Sequence, residues 1–120
     1  MKKLPDAELE VMQAIWACEY PVKRSDIDGI LQKSHPMAQT TLLTLLTRLS
    51  DKGFIEIIKE NRTSSYIPLI KEEDYITEQS KTFFHKLCKG NISMFASALC
   101  SDVLSEEDIQ ELKEWLDKES

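Results

Sequence analysis

The chain has 120 residues, of which 42% are hydrophobic and 30% charged, with a formal net charge of −6. This composition predicts one soluble domain, or a small domain with a helical appendage, and excludes disorder, collagen and a membrane span. The acidic balance argues against a general affinity for polyanions. No apolar segment follows Lys2 and Lys3 as in a signal peptide, so we expect a cytoplasmic protein without membrane insertion.

The excess of acidic residues is confined to the C-terminal part of the chain. Residues 1–70 contain nine Lys or Arg and nine Asp or Glu, whereas residues 71–120 contain six and twelve. A nucleic-acid surface, if the protein has one, must therefore be local and lie within residues 1–70.

The cysteines and histidines do not predict a metal site. Cys18, Cys88 and Cys100 form no CxxC pair, so neither a disulfide framework nor a four-ligand zinc pattern is indicated. Buried free thiols in a reducing compartment are the expectation. The alternative, a metal or redox site of His85, Cys88 and Cys100, lacks a fourth ligand. We predict no metal and no cofactor.

The first two predicted elements are short amphipathic helices. Leu9, Met12 and Trp16, with Ile15 beside them, follow the spacing of one apolar face in a helix over Asp6–Ala17. A second helix over Arg24–Gln32 ends before a His-Pro pair, because the residue before a proline is disfavoured in the α region.

The third predicted helix, Ala38–Lys52, has two contrasting faces. Leucines at i, i+3, i+4 and i+7 predict a buried stripe of Leu42, Leu45, Leu46 and Leu49. The opposite face carries threonines, one leucine and one arginine: Thr40, Thr41, Leu43, Thr44, Thr47 and Arg48. β-Branched residues are poor choices for a helix face that meets only solvent, so this face is predicted to contact another molecule.

A β-hairpin is predicted after the third helix. Phe54–Lys59 and Ser65–Leu69 have the composition of strands, and the polar segment Glu60–Ser64 predicts a turn with Asn61 at positive φ. Pro68 has no N–H to donate, so the second strand is expected at a sheet edge.

The order of these elements predicts the fold class. Helix, helix, helix and hairpin over residues 1–70 is the order of a winged helix-turn-helix domain. The short segment at Val22 can add a third strand to the hairpin. We therefore expect a mainly α fold with a small β-hairpin wing, followed by a helical dimerisation domain over residues 71–120.

Residues 71–120 are predicted to form three helices. They are Lys71–Cys88, a short helix capped by Asn91, and a last helix that begins with a capping box of Ser105 and Asp108. Their apolar residues exceed what three short helices can bury by themselves: Phe83, Phe84, Leu87, Ile92, Phe95, Leu99, Leu112, Trp115 and Leu116. Packing against the winged domain is one explanation. We favour a two-fold homodimer, since two half-site contacts on one duplex combine their free energies.

The polar face of the third helix suits the major groove of DNA. Threonine offers a hydroxyl and a methyl group to base edges, and Leu43 suits a thymine methyl group. The predicted phosphate contacts come from the third helix (Arg48, Lys52), the hairpin tip (Lys59, Arg62) and the start of the second helix (Lys23, Arg24, Ser25). The alternative is a neutral helix surface that docks against another protein. An enzyme is not indicated, because no Gly-rich phosphate loop and no distinct carboxylate pair is present.

Four segments together resemble one known family. They are Leu4–Met12 with Ile15-Trp16, Thr41–Leu49 with Lys52-Gly53, the wing residues Arg62, Tyr66, Pro68 and Leu69, and Leu104–Glu107 with Ile109 and Leu112. In this order they look like the opening helix, recognition helix, wing and final helix of the penicillinase-repressor family (BlaI/MecI/CopY). The resemblance covers essentially the whole chain.

The resemblance implies a bacterial homodimeric repressor on a pseudo-palindromic operator, often with TACA/TGTA-like half-sites. In some members a membrane sensor-protease is the partner that causes release from DNA. Leu43 stands where a basic residue is common in the family, and Ser97-Ala98 aligns with the Asn-Phe bond that is cut in antibiotic-responsive relatives. The paired CxC motifs of copper-responsive relatives do not occur in this sequence.

Overall fold

The described residues of the computed structural model, 3–89 and 91–119, form helices and one small β-sheet, which confirms the predicted mainly helical fold. The chain divides into two compact units, residues 1–78 and 79–120. The first unit contains α1 (Asp6–Ala17), β1 (Val22–Lys23), α2 (Arg24–Ser34), α3 (Gln39–Asp51), β2 (Ile55–Glu60), β3 (Thr63–Pro68) and the start of α4 (Glu72–Leu87). The second contains the end of α4, α5 (Ile92–Ala98), a π-helical segment (Leu99–Val103) and α6 (Glu106–Glu119). None of the helices in these described ranges is both long enough and apolar enough to cross a bilayer.

The core of the first unit is centred on α3. The predicted leucine stripe is confirmed, because Leu42, Leu45, Leu46 and Leu49 are each 5% exposed or less. Full burial of one leucine side chain contributes about 1.5–3 kcal/mol. The stripe therefore fixes which face of α3 points away from the core. This outward face is the threonine-bearing one, which the sequence predicts to contact another molecule.

The buried face of α1 is wider than the predicted one. Met12 and Ile15 are fully buried as expected, Leu9 and Trp16 are half-buried against the core, and Val11 also lies fully inside. The reason is that α1 contacts α2, α3 and β3. A helix packed against three elements buries a wider stripe than the spacing of its largest apolar residues predicts.

The sheet is antiparallel with strand order β1-β3-β2, so the segment at Val22 does supply the third strand. The expectation that the strand ending at Pro68 lies at an edge is wrong, because β3 is the central strand. The N–H of Leu69 donates to the carbonyl oxygen of Phe54 at 2.8 Å, so the nitrogen of Pro68 points towards the β1 side. β1 has only two residues and ends before it reaches Pro68. The missing N–H therefore costs no ladder hydrogen bond.

The hairpin turn is tighter than the sequence predicts. Glu60 pairs with Thr63, so the loop consists of Asn61 and Arg62 alone, and both strands reach further than expected. Asn61 has the predicted positive φ of 47°, and Arg62 also has a positive φ of 72°. A two-residue turn of this type requires positive φ at both central positions, which places Arg62 at the tip of the wing.

The start of α4 belongs to the first unit, which continues to Glu78 and thus beyond the boundary at residue 70 that the sequence predicts. Tyr75 is the reason. Its hydroxyl oxygen accepts the backbone N–H of Leu4 at 2.8 Å, and its ring lies 5.9 Å from Trp16 and 5.8 Å from Phe54 between centroids. The side chain is 5% exposed, so the first turn of α4 completes the core.

The second unit contains the predicted caps and a small aromatic cluster. The side chain of Asn91 accepts the N–H of Met94 at 3.0 Å. Ser105 and Asp108 exchange two hydrogen bonds of 3.1 Å, which confirms the capping box before α6. The ring of Phe95 lies 6.1 Å from that of Phe83 and 5.4 Å from that of Phe84, in the edge-to-face geometry that aromatic pairs prefer. The π-helical segment after α5 was not predicted.

Candidate nucleic-acid interface

The exposed face of α3 carries one continuous patch. Thr40, Leu43, Thr44 and Thr47 stand at i, i+3, i+4 and i+7, so they line one side of the helix opposite the buried leucines. All four are exposed, and Leu43 is 40% exposed although it is apolar. We call these four residues the α3 patch. The predicted residues Thr41 and Arg48 are also exposed on α3, beside the patch.

Two hydroxyl groups of the α3 patch are bonded to the helix itself. The Oγ1 of Thr44 donates to the carbonyl oxygen of Thr40 at 3.0 Å, and the Oγ1 of Thr47 donates to that of Leu43 at 3.0 Å. A threonine hydroxyl has one proton to donate and two lone pairs. Both hydroxyls can therefore still accept a hydrogen bond, but their protons are engaged with the backbone.

A groove of about 540 Å³ lies beside the α3 patch. Lys23, Arg24 and Ser25 line it from the start of α2, and Leu43 and Arg62 line it from α3 and the wing. The groove thus collects three cationic side chains from residues 1–70, which carry equal numbers of basic and acidic residues. An anionic ligand such as a DNA phosphate fits this local charge.

Three further polar residues of this groove were missed from the sequence. Gln39 opens α3, and Thr63 and Ser64 stand on β3. A glutamine at the start of an exposed helix is a signal that was available, since its amide can bond adenine in the major groove. Ser64 gave no signal, because the longer predicted turn placed it outside the strand. One acidic residue, Asp28, also lines the groove.

Lys23 joins two elements at the edge of the groove. Its Nζ donates to the Oγ of Ser65 on β3 at 2.7 Å, and its backbone N–H donates to the Oδ2 of Asp26 at 3.0 Å. The first bond ties the start of α2 to the sheet, and the second caps α2. An ammonium group has three donors, so Lys23 keeps protons for an anion. Arg24 and Ser25 are exposed on the first turn of α2.

The wing presents its cations at and near its tip. Lys59 is exposed on β2, where it pairs with Ser64, and Arg62 is exposed at the turn. The positive φ of Arg62 is uncommon for a residue with a Cβ atom.

Lys52 makes an ion pair that was not predicted. Its Nζ lies 2.6 Å from the Oε1 of Glu8, and Glu8 is 3% exposed. A buried carboxylate without a partner is strongly unfavourable, so this ion pair is structural and joins the end of α3 to the first turn of α1. We therefore do not include Lys52 among the proposed phosphate contacts. The signal for the pair was available, since Glu8 shares a helix face with Val11, Met12 and Ile15.

The cysteines lie in different surroundings, and the described residues contain no cluster of His, Cys, Asp and Glu that could hold a metal ion. Burial raises the pKa of the Cys18 thiol, and the carboxylate of Asp26 raises it further. Cys18 therefore stays protonated and is a poor nucleophile. Cys88 is buried, Cys100 is exposed, and His85 is exposed.

The residues predicted for a dimer interface lie largely uncovered in the second unit. Leu87 and Ile92 are about two-thirds exposed, and Phe83 is 50% exposed. Leu112 is exposed, while Phe84, Phe95 and Leu99 are half-buried. The side chains of Trp115 and Leu116 lie outside the described residues. So large a group of exposed apolar side chains is typical of an interaction surface.

The arrangement of α2, α3 and the hairpin defines a winged helix-turn-helix protein, a class in which the second helix of the pair presents its exposed face to the major groove. A family model described as penicillinase repressor matches residues 4–118. The chain therefore belongs to the penicillinase repressor family, which confirms the resemblance seen in the sequence. This is a family of transcriptional repressors and not of enzymes.

Individual relatives agree with this assignment. The chain is 38% identical to the penicillinase repressor of Bacillus licheniformis, over 98% of this chain and 94% of the relative. It is 35% identical to the methicillin resistance regulatory protein MecI of Staphylococcus aureus, over 97% and 94%. The solved DNA-binding domain of the repressor BlaI matches with a TM-score of 0.52 and 38% identity, over 62% of this chain and 94% of that chain. The monomeric form of Bacillus licheniformis BlaI in complex with the blaP half-operator matches with a TM-score of 0.51 and 36% identity, over 62% and 89%.

Proposed function

We propose that this protein is a transcriptional repressor that binds a pseudo-palindromic DNA operator as a homodimer. The observation that carries the proposal is the α3 patch, which the leucine stripe holds outward beside a groove lined by Lys23, Arg24 and Arg62. The relative solved with a half-operator supports it, because the same fold there binds DNA. A protein that occupies chromosomal DNA acts in the bacterial cytoplasm.

In this proposal each element of the first unit has a separate task. The α3 patch and Thr41 enter the major groove and contact base edges, which carry sequence information. Arg48 reaches a phosphate at the border of the groove. Lys59 and Arg62 hold the backbone from the wing, and Lys23, Arg24 and Ser25 hold a phosphate at the positive end of α2.

The charge distribution sets the expected strength of this contact. Five cations remain after Lys52 is removed: Lys23, Arg24, Arg48, Lys59 and Arg62. If each meets one phosphate, a dimer makes ten contacts, and the logarithm of the affinity falls with the logarithm of the salt concentration with a slope on the order of −9. The net charge of −6 adds no attraction outside this surface, so binding is expected to be steeply salt-dependent.

The homodimer is proposed from the second unit. Its exposed apolar residues Phe83, Leu87 and Ile92 suit a surface of the same character on a second copy. When two copies are joined in a dimer, the second half-site contact on the same duplex becomes intramolecular. This raises the affinity for the operator. This explains how a patch with few charges can hold an operator.

A mobility-shift titration across a salt series tests the proposal. The probe is the duplex upstream of the protein's own gene, with a shuffled duplex of equal length as the control. We expect a shift of the specific probe that weakens steeply with salt. The absence of any shift at low salt would contradict the proposal and favour the alternative, a winged-helix module that docks the α3 patch on a protein.

A membrane sensor-protease is the partner that we propose for induction. The resemblance places Ser97-Ala98, both exposed at the end of α5, where antibiotic-responsive relatives have the Asn-Phe bond that is cut. That bond is not retained here, so the partner would have to act on this chain at another bond or without cutting it. The genes next to the coding gene test this part. An adjacent sensor-protease gene supports proteolytic induction, whereas an adjacent transporter gene points to a different inducer.

A further inference from the structure

The outer surface of the α3 patch is more apolar than its composition suggests. Thr44 and Thr47 donate their hydroxyl protons to the carbonyl oxygens four residues earlier. A proton held in this way is not free to bond an acceptor on a base edge. The γ-methyl group is the part of each side chain that is not engaged with the backbone.

Leu43 extends this apolar surface. It lies one turn before Thr47 on the same side of α3 and is 40% exposed. The isobutyl group of Leu43 and the methyl groups of Thr44 and Thr47 therefore form one strip with no hydrogen-bond donor available. Major-groove acceptors such as guanine O6 and N7 find no partner there, whereas the C5-methyl group of thymine does.

We infer that Leu43, Thr44 and Thr47 select thymine in the operator by methyl contact and not by hydroxyl donation. The inference rests on the proposed function, because it specifies what α3 recognises once it lies in the major groove. The hydroxyl oxygens retain lone pairs and accept from the amino groups of adenine or cytosine at neighbouring positions. In this mode of readout, thymine is recognised through its methyl group. Neighbouring adenine or cytosine bases are recognised only through the hydrogen-bond donors of their amino groups.

Paired substitutions at Thr44 separate the two modes of readout. Thr44→Val keeps a methyl group in place and removes the hydroxyl, whereas Thr44→Ser keeps the hydroxyl and removes the methyl. Valine and threonine have similar helix propensities, so the helix is retained. Methyl readout predicts that Thr44→Val binds within about twofold of the unchanged protein. It predicts that Thr44→Ser binds the operator about fifteenfold more weakly, because one buried methyl group, worth about fourfold, is lost at each of the two half-sites.

The probe is the duplex that the unchanged protein selects from a random library. Each thymine of this duplex is replaced in turn by deoxyuridine, which pairs identically and lacks only the C5-methyl group. We expect a loss of about fourfold at the contacted thymines and none elsewhere. At the thymine that Thr44 contacts, the loss is expected to disappear in Thr44→Ser, because the methyl partner is already gone.

Three outcomes are distinguishable. If Thr44→Ser binds like the unchanged protein and Thr44→Val fails, the hydroxyl reads the base and the inference is overturned. If no deoxyuridine weakens binding, the inference is also overturned, although the selected duplex still supports the proposed function. If the unchanged protein selects no duplex at low salt, the proposed function itself fails. Melting curves of both variants, expected to match the unchanged protein, confirm that a loss is not caused by unfolding.

Discussion

The two units of the chain bury their apolar residues to different extents. In the first unit the large apolar side chains of α3, such as Leu42 and Leu49, are fully buried by the unit's own helices and sheet. Among the described side chains of the second unit, Cys88 is the only hydrophobic one that is less than a tenth exposed. Leu87 and Ile92 remain about two-thirds exposed. The difference indicates that the exposed face of α3 rests on a completed core. The uncovered apolar surface of the second unit suits a partner, which we propose is a second copy.

Phe95→Asp, in the second unit, is expected to have the largest effect on dimerisation and on operator affinity. It places a charge in the aromatic cluster with Phe83 and Phe84, where the apolar rings cannot solvate it. Sedimentation velocity should show a monomer, and operator affinity should fall by on the order of a hundredfold, because the two half-sites are no longer linked. Ser93→Asp, at an exposed position of the same helix, is the matched charge control and should remain dimeric. A dimeric Phe95→Asp would show that the cluster is not part of the interface.

Lys52→Met tests whether the core of the first unit depends on its ion pair. The substitution leaves the carboxylate of Glu8 buried without a cation, so the free energy of unfolding should fall by about 2 kcal/mol in urea denaturation. Glu8→Gln should cost less, about 1 kcal/mol, because the Lys52 side chain is 34% exposed and can be solvated. The salt slope of DNA binding should not change in Lys52→Met. A shallower slope would mean that Lys52 does meet a phosphate.

Substitutions of Arg62 are expected to have the smallest effects and to test a single contact of the wing. Arg62→Ala should weaken binding to all duplexes about equally and reduce the magnitude of the salt slope by roughly two per dimer. Arg62→Gly should lose the same contact but unfold at higher urea than Arg62→Ala. The reason is that the φ of 72° disfavours a residue with a Cβ atom, by about 1 kcal/mol. A sequence-selective loss in either variant would instead assign base readout to the wing.

Much of the fold could be predicted from the sequence because its signals are local. The leucine spacing of α3, the cap at Asn91 and the capping box of Ser105 and Asp108 all concern residues within two helical turns, and all three are confirmed. Asn61 at positive φ is equally local. The central position of β3 was not predictable in this way, because it depends on β1, a strand of two residues from a distant part of the chain.

The candidate site shows the same division. Sequence periodicity placed Thr40, Leu43, Thr44 and Thr47 on one face, and the structure has them there. Periodicity could not show that two of the hydroxyls bond the helix backbone, since a threonine side chain in a helix has two accessible orientations. It also treated Lys52 as an exposed cation, because the partner that engages it is Glu8, on another helix.

The sequence by itself determined the helices and the outward face of α3, because amphipathic spacing and turn chemistry act between residues close in the chain. The family followed separately, from the resemblance of four segments to known repressors. Only the tertiary structure decided which cations face the groove, which one pairs with a buried carboxylate, and which side chains of the second unit stay uncovered. Those outcomes depend on contacts between distant residues, such as Lys23 with Ser65, and no local pattern encodes such contacts.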